Sequence, residues 1–250
     1  MSIKTALNLD PALLQRLVPA TRLQQIRGCC ASGVAALDHL LGGGWPRGAL
    51  GELVGRRSSG RTAILHATLA TAINAGETVA LIDSGGALDP RSAAQSGITL
   101  SHLLWVRCPA EHTLKAADLV TAAGGFGLVA LDLGEGRARI PSAAWNRLKH
   151  AAERQRAAVI VATPWQTVGA FAATAVTLES HGARFARVSE GRLCRPELIV
   201  GGAGPSQGPA SSDSLPLLLA LESKAARGRG RWQGEGEDPR CAWLAFSYRS

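Results

Sequence analysis

Residues 55–62 read GRRSSGRT. The string departs at one position from the phosphate-binding pattern G-x-x-x-x-G-K-[ST]: Gly55, Gly60 and Thr62 are in place, and Arg61 stands where the pattern has lysine. In such a loop the glycines let the backbone wrap a phosphate, amide hydrogens point inward, and the start of the following helix adds positive potential. A plain Gly/Ser turn is the alternative, and the flanks argue against it. ALGELV (49–54) before the loop has the composition of a buried strand, and a helix is expected over 61–75 after it. Thr62 is placed to reach a magnesium ion, and a lysine at 61 would reach the β- and γ-phosphates. Arginine keeps the charge, but it is bulkier, planar and forked, and does not reproduce a compact ammonium.

Outward from the loop, short apolar runs recur: TVALID (78–83), LLWV (103–106), GLVAL (127–131) and AVIVA (158–162). Helices are expected between them at 111–123 and 142–156. Strand and helix in alternation predict an α/β fold with a mostly parallel sheet flanked by helices. GLVALD ends in Asp132, the kind of strand end at which phosphate-loop proteins hold magnesium through water. After residue 170, TAVTLE (174–179), PLLLALE (216–222) and AWLAFSY (242–248) look like strands without long helices between them, able to extend the sheet in antiparallel fashion. The stretches 201–214 and 226–240 are expected to be flexible loops, the first rich in Gly, Pro and Ser and the second charged. Near the start, Asp10 and Pro11 signal a helix with an apolar stripe of Leu13, Leu14 and Leu17, giving a helical arm over 1–31 before a core domain over 32–250.

The chain has 250 residues, 46% of them hydrophobic, enough for one large α/β core. It contains no apolar run of the roughly 18 residues that a membrane span needs. The N-terminus lacks the apolar core and cleavage site of a secretory signal, so a cytoplasmic location is expected. The five cysteines are odd in number and lack metal-ligand spacing, which fits reduced, mostly buried thiols. A net charge of +8 favours polyanionic partners such as DNA or an acidic protein surface; the alternative is a high-GC genome that prefers arginine.

Three stretches carry a resemblance. SGVAALDHLLGGGWPRGALGELVGRRSSGRTAIL (32–65) is similar to the RecA recombinase family in its order of Leu-Asp, glycine cluster, proline, strand and phosphate loop. LIDSGGALDP (81–90) has that family's Ile-Asp followed by Ala-Leu-Asp-Pro, and LESKAARGRGR (221–231) resembles its late strand and basic stretch. The resemblance spans about 32–248 and implies a RecA-like fold. It also implies nucleotide contacts at Gly55, Arg56, Arg57, Ser58, Ser59, Gly60, Arg61, Thr62 and Asp132, with weak ATP or ADP and Mg2+ as the cofactor.

The departures from the recombinase are consistent in direction. The family's water-activating glutamate falls at Gly85 by register. Its lysine pair that reaches a neighbour's nucleotide falls at Glu222 and Lys224. Both DNA-binding loops are short here, LGEGRARI after Asp132 and ATPWQTVGAFAAT near the end of 158–162, and no counterpart of the separate C-terminal domain is expected. Joint loss of catalytic, trans-acting and DNA-binding parts resembles the ImuA-type RecA-like proteins of bacterial damage-inducible mutagenesis cassettes. That resemblance implies an accessory role in the SOS response and translesion synthesis, degenerate ATPase activity and no catalytic residue. The implied partners are an ImuB-like Y-family adaptor, RecA itself and an error-prone DNA polymerase. The alternative is an active ATP-dependent recombinase or DNA-stimulated ATPase.

Arg137, Arg139, Arg147 and Arg154 are candidates for weak, sequence-independent DNA contact. On a helix, Arg147, His150 and Arg154 share one face, while Trp145, Leu148 and Ala152 share another and are expected to pack on the sheet. An ordinary solvated face with Lys149 paired to Glu153 explains the basic residues as well. Leu13, Leu14 and Leu17 are candidates for a protein contact or for the core. The histidines have no metal-ligand spacing, and His66 is expected to be structural.

Overall fold

A computed structural model describes residues 28–136, 140–189, 192–193, 197–200, 216–228 and 241–247. The expected N-terminal helix with Leu13, Leu14 and Leu17, the 201–214 stretch, and Arg137 and Arg139 lie outside the described residues.

The five expected strands form where the apolar runs lie: β3 (Ala49–Gly55), β4 (Val79–Asp83), β5 (Leu103–Arg107), β6 (Leu128–Asp132) and β7 (Ala158–Thr163). Two short strands precede them, β1 (Cys29–Cys30) and β2 (Trp45–Pro46), paired antiparallel around a seven-residue helix α1 (Ala35–Leu41). The chain then supplies α2 (Arg61–Asn74), α3 (Pro90–Gln95), α4 (Thr113–Ala123) and α5 (Ser142–Gln155). Its later part forms β8 (Ala172–Ser189), β9 (Arg192–Leu193), β10 (Glu197–Val200), β11 (Pro216–Arg227) and β12 (Cys241–Ser247). β11 runs to Arg227, two residues into the stretch expected to open a loop.

The main sheet has the order β12-β11-β8-β3-β7-β6-β4-β5, with β10 and β9 paired to β8. β8, β3, β7, β6, β4 and β5 are mutually parallel, so the 174–179 run, expected to join the sheet in antiparallel fashion, instead lies parallel to β3 within β8; β11 and β12 are each antiparallel to the strand they pair with. Period-two alternation sends successive side chains to opposite faces. Leu53, Leu81, Ala130 and Ile160 pack on one face with α1 and α2, through Leu37, Ile64 and Leu69. Ile82, Val129, Leu131 and Val161 pack on the other face with Trp145, Leu148 and Ala152 of α5, as the helix spacing predicts. Gly51 in β3 faces the buried Trp45: a Cβ placed there would lie 2.5 Å from Trp45 Cε3, so the ring occupies the space a side chain would take. Burial pushes the Cys30 thiol up to about 12, as for a packed, unreactive cysteine.

All the parallel strands deliver their carboxyl ends to one edge of the sheet, where ligands bind in open α/β folds. Gly55, Asp83, Asp132 and Thr163 end four of them.

Candidate functional site

The loop Gly55–Thr62 runs from the end of β3 into the first turn of α2. Ser58 and Gly60 have positive φ, 60° and 85°, which turns the chain sharply before the helix. Gly55 permits a close approach, because a Cβ there would collide with Ser59 Oγ. A cavity of about 200 Å³ opens against Arg56, Arg57, Ser58, Gly60, Arg61 and Thr62. Thr62 is exposed at its mouth. Six of the eight sequence-predicted loop residues thus line a phosphate-sized concavity at a helix start; Gly55 and Ser59 do not line it.

Arg61 does not project into solvent. Its residue is 8% exposed, its Nη1 donates to Gly55 O at 2.6 Å, and its Nη2 donates to Glu135 Oε1 at 2.7 Å. The forked group thus bridges the start of its own loop and a carboxylate from another element. Two buried polar atoms of the loop, Arg61 Nε and Ser59 Oγ, have no hydrogen-bond partner among the described residues. Unpartnered buried donors are uncommon in folded proteins and suit a site built for an oxygen-rich ligand. The loop residues fit a phosphate group, provided Arg61 can be released from Glu135. When bound, a nucleotide would bring a phosphate anhydride to this edge of the sheet, with Gly60, Arg61 and Thr62 as its nearest holders.

Glu135 was not singled out by sequence. It belongs to the turn after β6, where Gly134 has φ 65° and its N–H donates to Asp132 Oδ1 at 2.9 Å. That turn brings Glu135 to the same cavity as Arg61. Asp132 stays behind it, 9% exposed and not part of the cavity lining. Burial pushes its carboxyl above the usual range, against the opposing pull of the Gly134 N–H and the Arg61 charge.

Asp132 stands directly across from Asp83 in the β4–β6 register. Asp83 is 2% exposed and accepts from Gly85 N, Ala87 N, Leu88 N and Trp105 Nε1 at 3.0–3.3 Å. It folds the SGGALDP segment into a fixed turn, and Asp89 then caps α3 through Arg91 N and Ser92 N. Gly85, the position aligned with the recombinase's carboxylate, lies against Gly134, with 3.7 Å from a built Cβ to Gly134 Cα.

The loop after β7 is tied to the phosphate loop's strand. Glu52, fully buried in β3, accepts from Thr167 N at 2.5 Å and Val168 N at 2.8 Å. Arg56 stacks over the Trp165 ring, 4.7 Å from its centroid. A carboxylate inside the apolar run ALGELV was the sequence signal for the first of these contacts.

Of the basic candidates, Arg147 and Arg154 lie on the exposed face of α5. Arg147 faces Asp118 at 3.6 Å, and Glu153 takes His150 at 3.1 Å where the spacing expected Lys149. That face is thus partly neutralised by the chain itself. His66 Nδ1 lies 3.3 Å from Ser96 Oγ, and burial lowers its pKa, in keeping with a structural role. Among the described residues, no helix is long and apolar enough to cross a membrane.

Comparison with known proteins agrees with this geometry. Over 104 residues the chain is 38% identical to Protein RecA of Francisella tularensis subsp. novicida (strain U112) and to Protein RecA of Francisella tularensis subsp. tularensis (strain WY96-3418). The aligned part is 40% of this chain and spans only 29% of the length of those curated relatives. Residues 16–161, more than half of the 250, match the RecA N-terminal domain family. A phosphate loop between β3 and α2, an Asp-ended β6 and this match together make the chain a member of the RecA N-terminal domain family.

Proposed function

We propose that the chain is a RecA-like accessory protein with a degenerate nucleotide site, acting in the bacterial DNA-damage response rather than as a recombinase. The observation that carries this reading is Arg61, turned inward onto Gly55 O and Glu135, while a glycine stands at position 85. Loss of a general base or of water positioning alone typically costs about 10²–10⁴ in rate. ATP or ADP with Mg2+ binds weakly in this reading, through the loop backbone, Arg61 and Thr62. Function then rests on protein contacts. The ImuA-type resemblance suggests an ImuB-like Y-family adaptor, RecA and an error-prone polymerase as partners in translesion synthesis, within the cytoplasm.

Steady-state ATP hydrolysis with and without single-stranded DNA tests the catalytic half. Background turnover is expected, and robust DNA-stimulated turnover abolished by Asp132→Ala would refute it. Co-purification with an ImuB-like adaptor tests the partner half, and absence of any complex at micromolar concentration removes that partner. The competing reading, a DNA-stimulated ATPase, draws on one observation: Glu135 supplies a carboxylate at the loop.

A further inference from the structure

A phosphate loop meets its ligand with backbone amides and one basic side chain. In this chain the basic side chain already holds an anion that the protein supplies. Arg61 is 8% exposed and lies between Gly55 O and Glu135 Oε1, at 2.6 and 2.7 Å. Glu135 reaches the loop because the turn after β6 is fixed by the Gly134 N–H on Asp132 and by the positive φ of Gly134. Its side chain is 39% exposed, so it stands at the rim, where it can leave without unfolding the core. Behind it Arg61 Nε and Ser59 Oγ have no hydrogen-bond partner among the described residues.

We propose that Glu135 is an internal competitor for phosphate. Its carboxylate takes Arg61 Nη2 while Gly55 O takes Nη1, so a polyphosphate ligand must displace it before Arg61 can turn to phosphate oxygens. The proposal rests on the reading of Gly55–Thr62 as a degenerate nucleotide site and names how that site is restrained.

The exchange of lysine for arginine follows from the same geometry. A planar fork presents parallel N–H groups, so one side chain can grip a carbonyl and a carboxylate together. A lysine ammonium is a point charge that makes no such fixed bridge. Carboxylate and phosphate compete for a guanidinium on similar terms, since both accept its paired hydrogen bonds. A carboxylate left in place beside an incoming polyphosphate is repelled by it, so restraint and displacement share one electrostatic origin. Arg56 and Arg57 line the same cavity and keep it attractive to a polyanion once Glu135 swings out.

The test is isothermal calorimetry with magnesium ADP and with inorganic tripolyphosphate on the full chain, for the parent, Glu135→Gln and Glu135→Ala. Both variants are expected to bind each ligand at least about tenfold more tightly, a change that corresponds to about 1.4 kcal/mol. Far-ultraviolet circular dichroism and thermal melts check that the variants remain folded. Arg61→Lys supplies the second arm: in that background Glu135→Gln is expected to raise affinity by much less than it does in the parent, because a lysine makes no fixed bridge for the carboxylate to hold. Affinity that is unchanged or weaker in folded Glu135→Gln overturns the proposal, as does no detectable binding in any variant. Lower ATP turnover at unchanged affinity also overturns it and makes Glu135 a relocated base. Robust turnover in the parent would instead refute the accessory reading while leaving the affinity comparison to stand or fall by itself.

Discussion

Asp83 and Asp132 end adjacent strands, face each other in register and are both buried, yet their surroundings differ in kind. Asp83 collects three backbone N–H groups and an indole N–H. Asp132 accepts from Gly134 N, and burial holds its carboxyl above the ordinary range. The first carboxylate is spent on shaping a turn. The second retains acceptor capacity beside a charged loop. The lesson is that burial alone does not mark a functional carboxylate; the number of donors already committed to it separates scaffold from site.

The contrast breaks most readily at Asp83. Asp83→Ala removes the acceptor of four donors: Leu88 N of a buried residue, Trp105 Nε1 of a half-buried one, and Gly85 N and Ala87 N of exposed ones. A loss of about 3–5 kcal/mol is expected, read as a lower urea midpoint at unchanged slope. A loss under about 1 kcal/mol would mean that the turn is held by its packing instead.

Arg56→Ala comes next in size and probes the looser side. It removes the guanidinium from the Trp165 face, a contact worth about 0.5–1 kcal/mol at a partly exposed site. The loop after β7 remains attached through Glu52, so the expected readout is faster amide exchange near Trp165 with little change in global stability. Unaltered exchange there would show that Glu52 and the Thr163 and Thr167 hydroxyls on the Trp165 backbone hold the loop without the ring contact.

Asp132→Asn is expected to act in the opposite direction from Asp83→Ala. The Asp132 carboxyl titrates above its ordinary value of 3.8 in the folded chain. The folded state therefore holds its proton more tightly than the unfolded state. The associated stability is complete below 3.8 and is lost as pH rises through the raised folded value. An amide has no such loss and still accepts from Gly134 N. The variant should gain less than about 1 kcal/mol at neutral pH, with the difference vanishing in acid. A variant less stable than the parent at neutral pH would show that the charge itself is used in the fold, as at Asp83.

The smallest effect is expected at Gly85→Glu. Its backbone is not in the left-handed region, and a built Cβ meets nothing closer than Gly134 Cα at 3.7 Å. Stability should change by no more than about 0.5 kcal/mol. ATP turnover should stay at background, because Arg61 remains on Glu135. Restored hydrolysis would show that the missing carboxylate was the sole defect.

The first five parallel strands and the long helices were legible because strands read as apolar runs and α5 carries Trp145, Leu148 and Ala152 at helical spacing, whereas the direction of β8 was not, since an apolar run carries no sign of which way it pairs. α1 is seven residues long and sits in a glycine-bounded stretch, too short for a period to emerge. α3 had a visible start in Asp89-Pro90, the same cap signal noted at Asp10-Pro11, but its six residues include a single buried apolar position, Ala93. The phosphate loop was legible as a string. Glu135 was not, because its partner is 74 residues away and the turn that joins them depends on a hydrogen bond from Gly134 to Asp132. Glu52 stood in plain view inside an apolar strand, and only the loop it binds was hidden.

The notch at Gly51 links two positions as one unit of inheritance. The Trp45 ring fills the volume that any larger residue at 51 would require, so neither position can drift alone. In a library randomised at both, survivors should pair bulk with absence: glycine at 51 with an aromatic at 45, or a small side chain at 51 with a trimmed one at 45. Such pairing would make the strand that leads into the 55–62 loop change two positions at a time, out of reach of the surface.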